Sequence, residues 1–169
     1  MAEPVSLQEA KDYLRILDTT EDTKVSEMIP RARRWVEDHT GHALVQRAFV
    51  EGHTPRRGRV QLDFIPVLAL SSVTYRDGDG VQQSYSARHF PPGALVFANL
   101  TEAWPLLNQD EEFTFTYTAG PDASNPIDPR HVGAILALVE GEYSEGYAYP
   151  ERAIEAAKLI CQNARTVVV

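Results

Sequence analysis

The sequence predicts an α+β fold: an α-helical bundle built from both ends of the chain, with an antiparallel, β-rich insertion between them. Apolar residues recur at steps of three and four over residues 6–40 and again over 129–165, which is the period of amphipathic helices. Over residues 43–119, apolar and polar residues alternate at period two, as half-buried strands require. We therefore predict a single domain, residues 1–169, composed of this bundle and this insertion.

The first helix is predicted over residues 6–17. Ser6 and Glu9 have the spacing of a capping box, in which each side chain pairs with a backbone amide of the first turn. Lys11 is expected to face water. The apolar stripe of this helix consists of Leu7, Ala10, Tyr13, Leu14 and Leu17.

The second helix is predicted over residues 21–40, and Gly41 supplies its C-terminal stop. We expect Trp35 to lie in the core of the bundle. Pro30 conflicts with a regular helix, because an interior proline removes a hydrogen bond and clashes with the preceding turn. The helix is therefore expected to kink near residues 26–30 or to restart there.

The insertion contains one clear hairpin and one clear strand. Two Asp-Gly pairs at 77–80 provide the backbone angles of a tight reversal between strands 73–76 and 81–85. Residues 113–118 alternate aromatic residues with threonines, which predicts a strand with one buried face. The segment 86–110 is expected to be a long excursion with one small strand. The other predicted strands are 44–45, 48–50, 60–64 and 94–97.

Two helices are predicted in the last part of the chain. Asp128 and Pro129 are typical of an N-cap and a first helical position, so we expect a mostly buried helix over 129–143. A last helix is predicted over 150–165.

Composition excludes several classes of protein. The formal net charge of −8 disfavours a free nucleic-acid-binding protein, because such proteins carry a basic surplus. A single cysteine, Cys161, excludes an internal disulfide framework and agrees with synthesis in a cytoplasm. No apolar run approaches the ~18 residues of a membrane helix, and no targeting signal is visible, so we expect no membrane association.

The sequence shows no catalytic motif. The turn at 77–80 superficially resembles a calcium loop, but Tyr85 stands where the closing glutamate would be. Cys161 and His131 could be a nucleophile and its base, yet Cys161 lies inside a predicted helix, which favours a buried structural thiol. We predict no catalytic residue, no metal and no cofactor. The histidines lack zinc-site spacing, and we interpret them as surface or capping residues: His39, His42, His53, His89 and His131.

Three segments are candidates for contact with a partner. The first two are arginine clusters, which are either solvated faces paired to local acids or docking sites for an acidic neighbour or DNA phosphates. The third is the apolar C-terminal end, which either inserts into a partner or packs on its own subunit. Their residues are Arg31, Arg33 and Arg34; Arg56, Arg57 and Arg59; and Thr166, Val167, Val168 and Val169.

Several short motifs, taken in order, resemble one known family. They are Val5 to Ile16, Thr40-Gly41-His42, Val73 to Gly80, Trp104-Pro105 and Tyr117 to Gly120. Together they span most of the chain and resemble the head–tail connector, or adaptor, proteins of long-tailed bacteriophages and of gene transfer agents. The chain departs from the usual pattern at Pro30, at residues 146–148 and at 166–169.

The resemblance implies a structural virion protein and no enzyme. The implied fold is a helical bundle from both chain ends with a β-rich insertion. Copies are implied to form a ring, typically twelvefold, on the portal protein at the head–tail interface of the virion. The ring would extend the DNA channel, through which packaged DNA passes without sequence-specific binding, and would dock a tail-side connector, stopper or tail terminator protein.

A different class of function is the alternative. The chain could be a small enzyme or ligand-binding domain that uses carboxylates and histidines around the loop 86–110.

Overall fold

The structure is a computed structural model that describes residues 3–107, 111–146 and 148–162. The chain forms two compact units. A helical unit combines Met1–Val45 with Pro126–Val169, and a β unit comprises Gln46–Asn125. The α+β class predicted from the sequence is confirmed, with helices before and after a β-rich region along the chain.

Local capping signals mark the starts of two helices in the helical unit, α1 and α3. The capping box of α1 forms, with Oε2 of Glu9 accepting the backbone N–H of Ser6 at 2.8 Å. Asp128 caps α3 through the N–H of Arg130. The helices are α1 (Leu7–Leu14), α2 (Asp22–Thr40), α3 (Pro129–Glu145) and α4 (Glu151–Cys161).

All four helices contribute to one apolar core. Val36 on α2 and Ile135 on α3 are completely buried there, and Ala157 brings α4 onto the same core. Gly141 permits the close approach of α3 to α4, because a Cβ at this position would lie 2.3 Å from the Cβ of Ala153.

Two expectations for α1 are wrong. The helix ends at Leu14 because Arg15 adopts a left-handed conformation with φ of 60°. Leu17 therefore leaves the predicted stripe, and its side chain is 99% exposed. Lys11 is buried rather than solvated, because its ammonium group pairs with Asp22 at 2.5 Å.

One expectation for α2 is narrowed and another needs correction. The helix runs through Pro30 without interruption, so of the two predicted alternatives, a kink or a restart, the restart does not occur. Trp35 is only partly buried at the margin of the core, where its ring stacks on His39 with centroids 5.0 Å apart. The side chains that fill the α2 side of the core are smaller, such as Val25 and Ile29.

The β unit contains two antiparallel sheets. A four-stranded sheet has the order β1-β7-β3-β4, and a three-stranded sheet has the order β2-β6-β5. The strands are β1 (Arg47–His53), β2 (Arg59–Gln61), β3 (Val67–Arg76), β4 (Gln82–Ser84), β5 (Arg88–His89), β6 (Leu95–Phe97) and β7 (Phe113–Ala119).

Strand β7 is one of the two inner strands of the larger sheet, and its predicted two-faced character is confirmed. Phe113, Phe115 and Tyr117 are almost fully buried, whereas the intervening threonines are not. The aromatic face extends through Trp104, whose ring lies edge-on to Phe113 with centroids 5.0 Å apart. This face is the core of the β unit.

The predicted hairpin is confirmed, with Tyr75 opposite Gln83 in the β3–β4 pair. Oδ1 of Asp77 closes the turn by accepting the N–H groups of Asp79 and Val81. The excursion after β4 holds two short strands, β5 and β6, where one was expected. Residues 44–45 form no strand, because Leu44 packs into the helical core instead.

Candidate functional site

The candidate partner-binding tail, Thr166, Val167, Val168 and Val169, lies outside the described residues. Its role therefore stays a prediction. The other candidates, both arginine clusters, fall within the described part of the chain.

Arg33 belongs to the interior of the helical unit. Its Nη1 lies 2.6 Å from Oε2 of Glu37, and its Nε lies 2.8 Å from Oε2 of Glu3. Only 10% of its side chain is exposed, so these carboxylates occupy the guanidinium group. Arg33 has a structural partner set on its own chain and is poorly placed for docking.

Arg31 and Arg34 are exposed on α2. Nη2 of Arg31 lies 2.5 Å from Oε1 of the buried residue Glu142 on α3. The hydroxyl of Tyr149 donates to the backbone carbonyl of Arg31 at 2.9 Å. Arg31 thus joins α2 to α3 while almost half of its side chain stays accessible.

The second cluster forms a tight turn that we call the basic turn, residues 56–59. Arg56 and Arg59 exchange backbone hydrogen bonds of 2.8 and 3.2 Å. Arg57 and Gly58 between them have positive φ, as a hairpin turn of the I′ type requires. All three arginines are exposed, so the turn presents a concentrated positive charge.

The basic turn is fixed to the core of the β unit. Nε1 of Trp104 donates to the carbonyl of Gly58 at 3.0 Å, and the N–H of Ala98 donates to the same carbonyl. Trp104 in turn packs on Tyr85, with ring centroids 4.7 Å apart. The turn is therefore held in place by an aromatic anchor, as a docking element requires.

Large apolar side chains are exposed on both units. Scattered exposed apolar residues are normal on a monomer, but Leu17 and Leu106 are each 99% exposed, so no other side chain among the described residues covers them. The most exposed are Leu17 and Leu159 in the helical unit and Val50, Phe90, Leu100 and Leu106 in the β unit.

Sequence reasoning missed a group of ionisable side chains in the β unit. Nε2 of His53 lies 3.0 Å from Oε2 of Glu51 and 4.0 Å from Oδ1 of Asp63. Tyr117 donates its hydroxyl proton to the other oxygen of Glu51. Burial, reinforced by the Glu51 carboxylate, raises the pKa of Tyr117 well above its usual range.

The sequence predicts that His131 is a surface or capping residue, and this is wrong. The side chain is buried. Its ring lies against His42, with centroids 4.9 Å apart. Burial and the neighbouring His42 lower the pKa of His131 to about 4, so the imidazole is neutral at physiological pH. Cys161 is buried as predicted, and burial raises the pKa of its thiol.

Among the described residues of the loop 86–110, no carboxylates and histidines come together to form a site. Nε2 of His89 lies 2.6 Å from the carbonyl of Gly93, a local contact. Glu102 contributes its backbone carbonyl to the Tyr85 hydroxyl at 2.8 Å. No observation therefore favours the enzyme or ligand-binding alternative at this loop.

No protein-family model and no curated protein matches the chain. Solved structures do match. A chain in the neck of an empty GTA particle, computed with C6 symmetry, has a TM-score of 0.76 and 22% identity and aligns over 100% of this chain and 94% of its own length. The chain shares the fold of a gene transfer agent neck component. The resemblance drawn from the sequence is thus confirmed at the level of the fold.

Two further structures give the same result. A chain in the virion of a native gene transfer agent particle has a TM-score of 0.72 and 22% identity. A chain in the neck of a native particle, computed with C12 symmetry, has a TM-score of 0.68 and 21% identity. Each covers 100% of this chain and 94% of the matched chain.

Within the described residues, no helix has the length and apolar character needed to cross a membrane.

Proposed function

We propose that the chain is a structural virion protein, a head–tail connector that assembles as a ring on the portal protein. The observation that carries this proposal is the fold, which matches neck components of gene transfer agent particles over the whole chain. The matched necks were computed with C6 and C12 symmetry, and a ring of copies is the arrangement in which such symmetry arises. A ring of twelve copies is the stoichiometry we propose.

The surfaces of the two units support assembly. The basic turn presents Arg56, Arg57 and Arg59 on a fixed loop, and arginine forks pair well with carboxylates of a neighbour. Exposed leucines such as Leu17 and Leu106 supply apolar area that a neighbouring subunit would bury. The net charge of −8 also means that basic patches on the portal or on a tail-side stopper or terminator protein would be attracted to this subunit.

The acidic balance suits a DNA channel. A bore that attracted phosphates strongly would retain the genome, whereas a net negative ring lets DNA slide. We propose that DNA passes through the ring without sequence-specific contacts.

The experiment is light scattering after size-exclusion chromatography, with the full chain alone and with its cognate portal protein. We expect a ring or a stable complex with the portal. Arg57→Glu should weaken the assembly, whereas Arg152→Glu on the exposed face of α4 is the matched control. A monomer that forms no portal complex would contradict the proposal.

The tail provides a second test. Burial of three valines contributes roughly 1.5 kcal/mol each before ordering costs are subtracted. Deletion of Thr166 to Val169 should therefore leave the melting curve nearly unchanged and weaken capture by the portal. Undiminished capture, or a collapse of the fold, would show that the tail belongs to its own subunit.

A further inference from the structure

Glu51 and His53 occupy an unusual position for ionisable residues. They are two positions apart on β1, so both side chains point to the same face of the sheet. Their cross-strand partners on β7 are Phe115 and Phe113, which belong to the buried aromatic face. Charged groups on an apolar face are unfavourable unless a counter-charge or a metal compensates them.

A third ionisable residue, from another segment of the chain, lies next to this pair. Asp63, between β2 and β3, donates its backbone N–H to Oε2 of Glu51 at 3.1 Å. One side-chain donor atom from each of Glu51, His53 and Asp63 lies within 4.8 Å of the other two. Two carboxylate oxygens and one imidazole nitrogen therefore converge from two segments that are remote in sequence.

We propose that Glu51, His53 and Asp63 form a binding site for a divalent transition metal, with zinc as the best fit. Zinc takes imidazole and carboxylate ligands at ~2.0–2.2 Å, which places tetrahedral ligand atoms roughly 3.4 Å apart. The His53 nitrogen lies 3.0 Å from Glu51 and 4.0 Å from Asp63, on either side of that spacing. Asp63 is largely exposed, so a small side-chain rotation brings its carboxylate into range.

The surroundings have two properties that a metal site needs. Tyr117 is fully buried and hydrogen-bonds the second oxygen of Glu51, which orients the carboxylate as outer partners of metal ligands do. The side chain of Asp63 is 67% exposed, so an ion and a water ligand can reach the group from solvent at this residue.

Binding of a metal ion would replace the direct contact between His53 and Glu51 by three metal–ligand bonds. The imidazole of His53 now pairs directly with Glu51, and a metal would take both atoms as ligands while any proton on Nε2 leaves for solvent. The ion would also fasten the segment that carries Asp63 to strand β1. This role concerns the β unit alone and does not depend on the connector proposal.

The test uses the full chain and zinc chloride in isothermal titration calorimetry, with cobalt(II) absorption as a second readout. We expect one site of micromolar or tighter affinity, a tetrahedral cobalt spectrum, and affinity that falls as pH is lowered because protons compete for the ligands. His53→Ala should weaken zinc binding by at least about 100-fold, more than loss of a merely supporting residue causes.

The controls separate the site from other histidines and from misfolding. Asp63→Asn should also weaken binding, and since Asp63 is exposed this variant should keep the fold by circular dichroism. His89→Ala, in the same unit but hydrogen-bonded to Gly93, should leave zinc affinity unchanged. The proposal would be overturned if the native chain took up no zinc, or if His53→Ala and Asp63→Asn both bound zinc with the native affinity.

Discussion

Arg33 and Glu37 form a buried ion pair along one turn of α2, with Nη1 of Arg33 2.6 Å from Oε2 of Glu37. The other oxygen of Glu37 accepts the backbone N–H of Leu44 at 2.7 Å. A single buried carboxylate thus holds both an arginine of α2 and the chain that leaves this helix.

Replacing Glu37 by alanine should destabilise the protein strongly. The substitution leaves a buried guanidinium with a single carboxylate and removes the partner of the Leu44 amide, and loss of one member of a buried pair costs about 3–5 kcal/mol. The free energy of unfolding from urea titration measures the effect. Glu27→Ala on the exposed face of α2 is the control and should change stability by less than about 0.5 kcal/mol. Equal stability of the two variants would contradict the role of Glu37 as the buried partner of Arg33 and of the Leu44 amide.

Two glycines of α3 should respond to alanine in opposite directions. Gly141→Ala would put a methyl group 2.3 Å from Ala153, so overpacking should cost about 1–3 kcal/mol. Gly133→Ala meets Ile160 at an ordinary 3.8 Å, and its better helix propensity should add about 0.5–1 kcal/mol. Thermal unfolding of both variants measures the contrast, and a shift of the same sign in both would refute the packing of α3 on α4.

Trp35→Ala should cost less than Ile135→Ala despite the larger side chain. Trp35 is partly exposed at the margin of the core, whereas Ile135 is completely buried in it. Truncation of a buried isoleucine costs about 2–5 kcal/mol, and we expect about 1–2 kcal/mol for Trp35. Both variants lie in the helical unit, so their denaturation midpoints compare directly. A larger loss of stability in Trp35→Ala than in Ile135→Ala would show that Trp35 does lie in the core.

The free energy of unfolding should fall as the pH is lowered, because His131 is buried in its neutral form. Its pKa is lowered from 6.5 to about 4 by burial and by His42, so between these pH values the unfolded chain binds more protons than the folded one. This contribution is present above the unfolded pKa and is lost as pH falls, by about 2 kcal/mol between pH 7.5 and pH 5. Asp128, which favours protonation, and Arg130, which opposes it, also act on the ring.

The check is the unfolding free energy at both pH values for the native chain and for His131→Leu. The variant should show a shallower loss of unfolding free energy on acidification than the native chain. Identical slopes in the native chain and His131→Leu would mean that His131 already protonates freely.

The isolated subunit should bind DNA weakly at physiological salt. Its net charge of −8 opposes phosphate binding, even though the basic turn concentrates three arginines. An electrophoretic mobility-shift assay tests this expectation. Submicromolar, salt-sensitive binding that disappears in the triple glutamine variant of Arg56, Arg57 and Arg59 would assign the basic turn to DNA instead.

Local signals made much of the fold predictable. Ser6 with Glu9, Asp128 with Pro129, and the Asp-Gly pairs at 77–80 each satisfy backbone groups within a few residues, so the sequence alone locates the ends they mark. The alternation around Phe115 likewise identifies a buried face.

Burial that depends on distant partners was not predictable. Lys11 has the spacing of a solvated residue, and only the path of the chain brings Asp22 to it. The spacing of Glu51 and His53 does indicate a shared face, but nothing local shows that Tyr117 lies on the next strand or that Asp63 returns to the pair. The surfaces proposed for assembly have the same limitation, since exposure such as that of Leu106 emerges only from the folded chain.

The order of the two units along the chain also affects biosynthesis. The β unit is contiguous, so it can fold as soon as Asn125 has left the ribosome. Helix α2 must wait for α3 to cover its apolar residues, such as Val36, while the whole β unit is translated. At ~5–20 residues per second this delay is on the order of 10 s. During that interval the nascent chain exposes the apolar face of an amphipathic helix, which is the kind of surface that chaperones cover.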